Sequence, residues 1–245
     1  MLNITQLKYM IGGKKILKGI DIELDNGVYG FLGPNGAGKT TLIRCLTGIY
    51  NLKKDCGDIV LDEKLHVTDR EYINSSGYLP QSFGLFKDMK VRDSLMYLAA
   101  LKGMKEDEAK VDVEECLEKV NLSDRINDKV KTLSGGMVRR LGIAQALLGN
   151  PRIIIFDEPT AGLDPVERAR FKDIIKNIPK DRIVIISTHI VSDVEDVCDK
   201  VMVINDGKIL FNDTLDKLKS KAEPGGEKSG SALLEEGFLC VLKQD

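Results

Sequence analysis

Apolar and polar positions change period several times along the chain, and each change marks an element. Leu2, Ile4 and Leu7, a turn at Gly12-Gly13 and the alternation Ile20-Asp21-Ile22-Glu23-Leu24 predict a small antiparallel sheet with one wet face. Val28 to Leu32 is an unbroken apolar run. Leu42, Ile43 and Leu46 then fall at helical spacing, with Gly48 as the expected C-cap. Gly57 to Leu61 predicts another strand, and Gly77 to Gln81 a short one stopped by Pro80.

The period then becomes helical. Val91, Leu95, Leu98 and Leu101 stand at i, i+4, i+7 and i+10. Val113, Leu117 and Val120 predict a second helix, with Glu114, Glu115, Glu118 and Lys119 on its wet face. A third is expected over Met137 to Leu148, opened by Ser134-Gly135-Gly136 and stopped at Gly149-Asn150-Pro151. The stretch from about 83 to 148 therefore reads as all-helical, inserted into an α/β body. The α/β pattern resumes with Ile153 to Phe156, apolar throughout as a central parallel strand requires. Asp164-Pro165 supplies an N-cap and a proline at N1 for a helix through Ile175. Ile183 to Ile186 is a second buried strand, and Val201 to Ile204, Asp206-Gly207 and Ile209 to Phe211 form a hairpin. Lys219 to Ser231 has a linker composition, and Leu233 to Leu242 is apolar enough for one more helix. The expected organisation is one main domain over 1–218, followed by a linker and short helical tail over 219–245.

At 245 residues the chain can bury the core of one large α/β domain or two smaller ones. A net charge of −2 with signs intermixed gives no reason to expect a nucleic-acid partner, although Arg139-Arg140 could form a local basic patch. The five cysteines are odd in number, widely spaced and lack a C-x-x-C pair, so free thiols in a reducing compartment are expected. Met1 to Met10 has no signal-peptide pattern, and the longest apolar runs are far too short to span a bilayer. The expectation is a cytoplasmic chain whose membrane role, if it has one, comes through a partner.

The chemistry centres on Gly33-Pro34-Asn35-Gly36-Ala37-Gly38-Lys39-Thr40-Thr41, which reads G-x-x-x-x-G-K-T between a strand and a helix. Gly36 and Gly38 leave no Cβ between backbone N–H groups and phosphate oxygens. The orphan N–H groups and positive dipole end of the following helix aim at the same place. Lys39 adds a mobile cation for the β- and γ-phosphates, and the Thr40 hydroxyl suits Mg²⁺. Chance yields this motif in roughly one chain of this length in a hundred. Asp157-Glu158 ends the apolar strand Ile153 to Phe156, at the sheet edge where α/β folds bind ligands. Asp157 suits the Mg²⁺ site, and Glu158 is free to polarise a water attacking the γ-phosphate. Leu133-Ser134-Gly135-Gly136 is a second anion site, with a serine N-cap and exposed glycine N–H groups. Either both helix N-termini close on one nucleotide, or each completes a neighbour's site. His189 could donate to a γ-phosphate or be a polar strand exit. Gln81 could contact Mg²⁺ or its water, or be an ordinary loop residue. Tyr9 could stack on a base or pack at a sheet edge.

The order of these motifs resembles the nucleotide-binding subunits of ATP-binding cassette (ABC) transporters, from about Leu2 to Leu218. Gly33 to Thr41 matches Walker A, Gln81 the Q-loop, Leu133 to Met137 the signature, and Ile153 to Glu158 Walker B with its catalytic glutamate. Ala161-Gly162-Leu163-Asp164 matches the D-loop, His189 the switch histidine, and Tyr9 the adenine-stacking aromatic. One departure is Met137, where the signature commonly has glutamine. Together with the residues through Leu148 it resembles bacterial exporter-type subunits for drugs, antibiotics or lipids. The resemblance implies a P-loop NTPase core with an antiparallel β subdomain and the inserted all-helical subdomain. It further implies ATP and Mg²⁺ as ligands, and a head-to-tail, ATP-dependent dimer with a second nucleotide-binding subunit. It places Asn35 and Thr41 in the phosphate loop and implies Thr40, Gln81 and Asp157 as metal ligands. By the same resemblance, ATP hydrolysis would drive a transmembrane partner subunit, which would keep the chain at the inner face of the membrane. Phe83, Leu85 and Phe86 would either meet that partner or pack under the helices. A soluble assembly factor without a membrane partner is the alternative.

Overall fold

The computed structural model describes residues 1–53, 55–222 and 230–243. The chain divides into two compact units, Met1–Ile73 with Lys180–Asp245, and Asn74–Pro179. The first opens with β1 (Leu2–Ile11), β2 (Lys14–Leu24), β3 (Gly27–Leu32), α1 (Lys39–Leu46), β4 (Asp58–Leu61) and β5 (Leu65–His66), and α2 (Arg70–Asn74) ends at the boundary. The second holds β6 (Ser76–Leu79), α3 (Val91–Leu101), α4 (Glu106–Lys119), α5 (Gly135–Leu147), β7 (Ile153–Asp157) and α6 (Pro165–Lys176). The chain returns to the first unit with β8 (Ile183–Ser187), α7 (Val191–Glu195), β9 (Lys200–Asn205), β10 (Lys208–Thr214), α8 (Leu215–Lys219) and α9 (Ser231–Lys243).

Two sheets organise the first unit. The antiparallel one has the order β2-β1-β4-β5, with Leu2 opposite both Leu24 and Leu61, and Ile4 opposite both Ile22 and Ile59. All six side chains are buried, which is the apolar face the alternation predicts. Leu7 stands three residues after Ile4 and would point to the wet face of a regular strand. The register slips between Ile4 and Leu7, where Gln6 takes φ 49°, and this bulge returns Leu7 to the buried face. In the other sheet β3 lies between parallel neighbours β8 and β9, with β10 antiparallel on β9. The uninterrupted burial of Tyr29 to Leu32 in β3 follows from that central position.

The C-terminal tail belongs to this unit. The linker expected over Lys219 to Ser231 is shorter, because Lys219 ends α8 and Ser231 begins α9; positions 223–229 of it lie outside the described residues. Helix α9 buries Leu234 and Val241 in an apolar cluster with Val194, Val203, Leu215 and Leu218, and Phe238 and Leu242 pack against it. Lys219 bridges to Glu195 of α7 at 2.8 Å.

In the second unit β6 and β7 pair in parallel, and α4 follows the polar pattern closely. Helix α4 buries Val113, Cys116 and Leu117, with Val120 buried just beyond its end, while Glu114, Glu115, Glu118 and Lys119 stay exposed. The face of α3 is rotated from the expected stripe: Val91, Ser94, Leu95 and Ala99 are buried, and Leu101 is 60% exposed. Small side chains at 94 and 99 let that face approach its neighbours, which apolarity alone does not reveal. Helix α5 starts two residues earlier than expected, at Gly135. All five cysteines are free, and no described helix is long and apolar enough to cross a membrane.

Candidate functional site

The expected site residues divide between the two units. In the first, β3 delivers the chain into the loop 33–38, and α1 starts at Lys39 with Gly38 as N-cap at φ 109° and ψ 3°. No side chain caps this helix, so its first-turn N–H groups face the loop with the positive dipole end behind them. Gly36 has φ 81° and open space where a Cβ would stand, so backbone conformation, not crowding, demands glycine there. Asn35, Gly36 and Thr40 are exposed, whereas Thr41 lies on the buried side of α1 and Gly33 is buried at the end of β3. The Lys39 side chain is buried and its ammonium donates to the Gly33 and Pro34 carbonyls, lying along the loop it is expected to serve.

Strand register places His189. Phe31 pairs with Ser187, so Gly33 and His189, each two residues further on, leave the same edge of a parallel pair. The exit is fixed by Thr188, whose N–H donates to the Phe31 carbonyl at 3.2 Å and whose Oγ1 accepts from the Ile190 N–H at 3.0 Å. His189 itself is exposed. Tyr9 is half-buried on β1, its ring stacked on Tyr50 at 4.8 Å with an interplanar angle of 1°. Arg44 of α1 donates to the Tyr50 hydroxyl at 2.8 Å. Burial raises the Tyr9 pKa first, and the thiol of Cys45 adds to the rise. A cleft of about 600 Å³ runs beside Tyr9, walled by Lys8, Lys15, Lys18 and Leu17. Leu17 also reaches the phosphate loop, since a Cβ on Gly38 would stand 3.2 Å from its Cδ2. An aromatic face, a lysine-lined cleft and the 33–38 loop are thus continuous within one unit.

The second unit repeats the register argument. Leu79 pairs with Phe156, so Gln81 and Glu158, each two residues beyond, leave the same edge of β6 and β7. Gln81 is exposed, Asp157 is 4% exposed, and Glu158 is half-buried in the left-handed conformation at φ 47°. A non-glycine residue held there stores about 1 kcal/mol or more. Ser134 caps α5 by accepting from the Met137 N–H at 3.2 Å, which puts Gly135 and Gly136 in the first helical turn, not in a loop. The Glu167 carboxylate lies over Gly136: a Cβ added there would meet its Cδ at 2.7 Å. Glu167 is paired with Arg140 at 3.2 Å and with Arg170 at 2.5 Å, so its charge is compensated beside a candidate anion site. Asp164 caps α6 by accepting from the Glu167 N–H at 2.9 Å.

Arg139 and Arg140 do not form the surface basic patch that their adjacency suggests. Both are buried, at 9% and 6% exposure. Arg140 donates to the Val120 and Asn121 carbonyls at 2.9 and 2.7 Å, fastening α5 to the end of α4. Arg139 donates to the carbonyls of Pro80, Gln81, Asp157, Glu158 and Pro159. Burial lowers the pKa of its guanidinium, and the charges of Asp157 and Glu158 oppose that. Sequence reasoning missed the role of this residue; its one signal was an arginine pair on a helix of mainly apolar side chains. The apolar loop after Gln81 splits its roles. Phe83 packs under α5, where a Cβ on Gly142 would meet its Cδ1 at 2.7 Å, while Phe86 is 56% exposed and edge-on to Tyr97 at 5.7 Å.

The residues expected to hold a metal, Thr40, Gln81 and Asp157, are hard oxygen donors, a set that suits Mg²⁺ and not zinc. Among the described residues no group of three His, Cys, Asp or Glu side chains forms a metal cage of its own. The donor set fits an ion that arrives with a nucleotide and keeps water in its shell.

The family model for ABC transporters matches residues 17–161. The linearmycin resistance ATP-binding protein LnrL of Bacillus subtilis (strain 168) is 35% identical over 254 residues, covering 99% of this chain and 79% of that protein. The bacitracin transport ATP-binding protein BcrA of Bacillus licheniformis is 36% identical over 225 residues, covering 90% of this chain and 72% of that protein. Among solved structures, cbiO1 from Clostridium perfringens, described as part of the ABC transporter complex cbiONQ, superposes with a TM-score of 0.77 at 28% identity, over 89% of this chain and 90% of that one.

Proposed function

The chain belongs to the ABC transporter family, whose ATP-binding domain hydrolyses ATP, and we propose that it is the ATPase subunit of a membrane exporter, driven by ATP-dependent closure of a dimer. The observation that carries the reading is the pair of helix N-termini, the uncapped α1 behind the 33–38 loop in one unit and α5 behind its Ser134 cap in the other. Each is built for phosphate, and two of them per chain suit a sandwich in which the loop of one copy and the Ser134 turn of a second grip one triphosphate.

In this reading the β- and γ-phosphates lie on the N–H groups of 36–40, and Lys39 leaves its own loop carbonyls to pair with them. Tyr9 stacks on the base above the lysine-walled cleft. Glu158 takes a proton from a water whose oxygen bonds to the γ-phosphorus, while the bond from that phosphorus to the β–γ bridging oxygen breaks and ADP leaves. His189 donates to the γ-phosphate. Mg²⁺, held by Thr40 with Gln81 and Asp157, supplies charge neutralisation on the phosphates when bound. The name of LnrL, which speaks of linearmycin resistance, supports export as the direction, and with that of BcrA, which speaks of bacitracin transport, it supports compounds of that kind as cargo. The exposed Phe86, Tyr97 and Leu101 offer an apolar surface for a transmembrane subunit.

The test is a trapped sandwich. Glu158→Gln keeps the shape but cannot accept the proton, so ATP with Mg²⁺ should drive the chain to a dimer in size-exclusion chromatography, and ADP should not. Adding Ser134→Arg should abolish the dimer while each chain keeps its ATP. A Glu158→Gln protein that stays monomeric when saturated with ATP, with and without a co-purified membrane partner, would remove the two-chain site. Purification from membranes without any integral membrane protein would favour a soluble assembly factor.

A further inference from the structure

Arg139 makes more backbone hydrogen bonds than any role in anchoring a helix requires. Its guanidinium has five N–H bonds. Nε donates to the Pro159 carbonyl at 2.8 Å, Nη1 to Pro80 and Gln81 at 2.8 and 3.1 Å, and Nη2 to Asp157 and Glu158 at 3.0 and 2.7 Å. All five donors are satisfied, and all five acceptors are main-chain carbonyls. They come from two segments only, the exits of β6 and β7, and those exits carry Gln81 and Glu158.

We propose that Arg139 is a positioning residue for ATP hydrolysis, a planar clamp that fixes the spacing between Gln81 and Glu158 and holds Glu158 in its left-handed conformation. Three of the five bonds go to consecutive carbonyls, 157 to 159, which leaves the turn no freedom to relax Glu158 from φ 47°. The other two hold the exit carrying Gln81 in the same plane. Lysine cannot substitute, because an ammonium has three donors, no fork and a free torsion behind it. Arg139 stands five residues after Ser134 on α5, so one rigid helix joins the candidate anion site to the clamp. The proposal rests on the reading of Glu158 as the proton acceptor of hydrolysis.

The experiment measures Arg139→Lys and Arg139→Gln in the full chain, alone and with Glu158→Gln. The readouts are kcat and KM for ATP, equilibrium ATP binding, and thermal melting to establish that each variant is folded at the assay temperature. A displaced reacting group costs about 10²-fold in rate without touching distant binding contacts. The expectation is therefore a kcat lower by about 10²-fold, with KM and ATP affinity within about threefold of wild type. In the Glu158→Gln background Arg139→Lys should cause no further loss, since a residue acting through Glu158 has nothing left to position. Wild-type kcat in both variants would overturn the proposal, and so would a loss confined to ATP affinity or a full additional loss on top of Glu158→Gln. Failure of both variants to fold would make Arg139 a residue of stability alone. Wild-type turnover by Glu158→Gln itself would instead remove the reading of Glu158 beneath it, so the two failures are told apart by which single variant is active.

Discussion

Gly237 in α9 gives a prediction whose sign separates tertiary packing from helix propensity. In an isolated helix, replacing an interior glycine by alanine stabilises by about 1 kcal/mol. Here a Cβ on Gly237 would stand 2.1 Å from the Leu218 carbonyl oxygen and 2.9 Å from its carbon. Such contacts are essentially never closer than 3.0 Å, so 3.0 − 2.1 leaves at least 0.9 Å to be made up. The obstacle is backbone and cannot rotate aside; the same carbonyl accepts from the Lys221 N–H at 3.0 Å at the end of α8. Helix α9 must withdraw, and Leu234 and Val241 with it, along with the partly buried Phe238 and Leu242. A gap of 0.5–1 Å forfeits about a quarter to a half of the dispersion well. Full burial of a large apolar side chain is worth about 1.5–3 kcal/mol, so four affected side chains lose roughly 3 kcal/mol between them. Subtracting the propensity gain leaves Gly237→Ala destabilised by about 2 kcal/mol. Urea unfolding followed by far-UV circular dichroism should show the midpoint lowered by roughly 0.5–1 M at unchanged slope. Leu234→Ala should cost about 2–5 kcal/mol as a cavity benchmark, and the exposed Leu239→Ala less than about 0.5 kcal/mol. A raised midpoint for Gly237→Ala would show that α9 behaves as an independent helix, and the packing argument would fail.

Two further outcomes follow from single residues. If Lys39 pairs with phosphate as proposed, Lys39→Ala removes a charge-assisted contact worth about 1.5–3 kcal/mol, so ATP affinity should fall roughly 10- to 100-fold and hydrolysis should cease, as read by equilibrium binding and phosphate release; wild-type turnover in a folded variant would remove the loop from the chemistry. His66 has its pKa raised, first by a hydrogen bond to Asp58 and then by that carboxylate's charge. A raised pKa stabilises the fold below the unfolded value near 6.5 and loses that contribution as pH rises through the folded value, so His66→Gln should lower the melting temperature at pH 5.5 and leave it unchanged at pH 9; equal shifts at both would refute the pair.

Much of this was legible in one dimension because the signals are local. The G-x-x-x-x-G-K-T loop needs strand, turn and helix within a short stretch, and the apolar runs supply them on either side. Ser134 and Asp164 were recognisable as N-caps because a cap is defined by its own next three residues. Elements without a periodic run were missed: β5, α2, α7 and α8 are five residues or fewer, too short to show a repeat. The rotated face of α3 was missed because Ser94 and Ala99 are buried for their size, a property set by whatever packs opposite.

The sequence alone determined the order of the elements that carry a periodic run, the strand–loop–helix setting of the G-x-x-x-x-G-K-T stretch, the Ser134 and Asp164 caps and the polar face of α4. These depend on backbone geometry and capping within a turn or two, where the neighbours in space are the neighbours in the chain. Tertiary structure decided which strand edge each site residue leaves, because register between Phe31 and Ser187, or between Leu79 and Phe156, joins positions far apart in sequence. It also decided the fate of Arg139, for which a linear reading offered a local basic patch with Arg140. An arginine is buried only when acceptors for its donors converge from elsewhere, and here five carbonyls from two strand exits do so. The docking of α9 was likewise decided in three dimensions: apolarity predicts a helix, while the absence of a side chain at Gly237 lets it lie on Leu218.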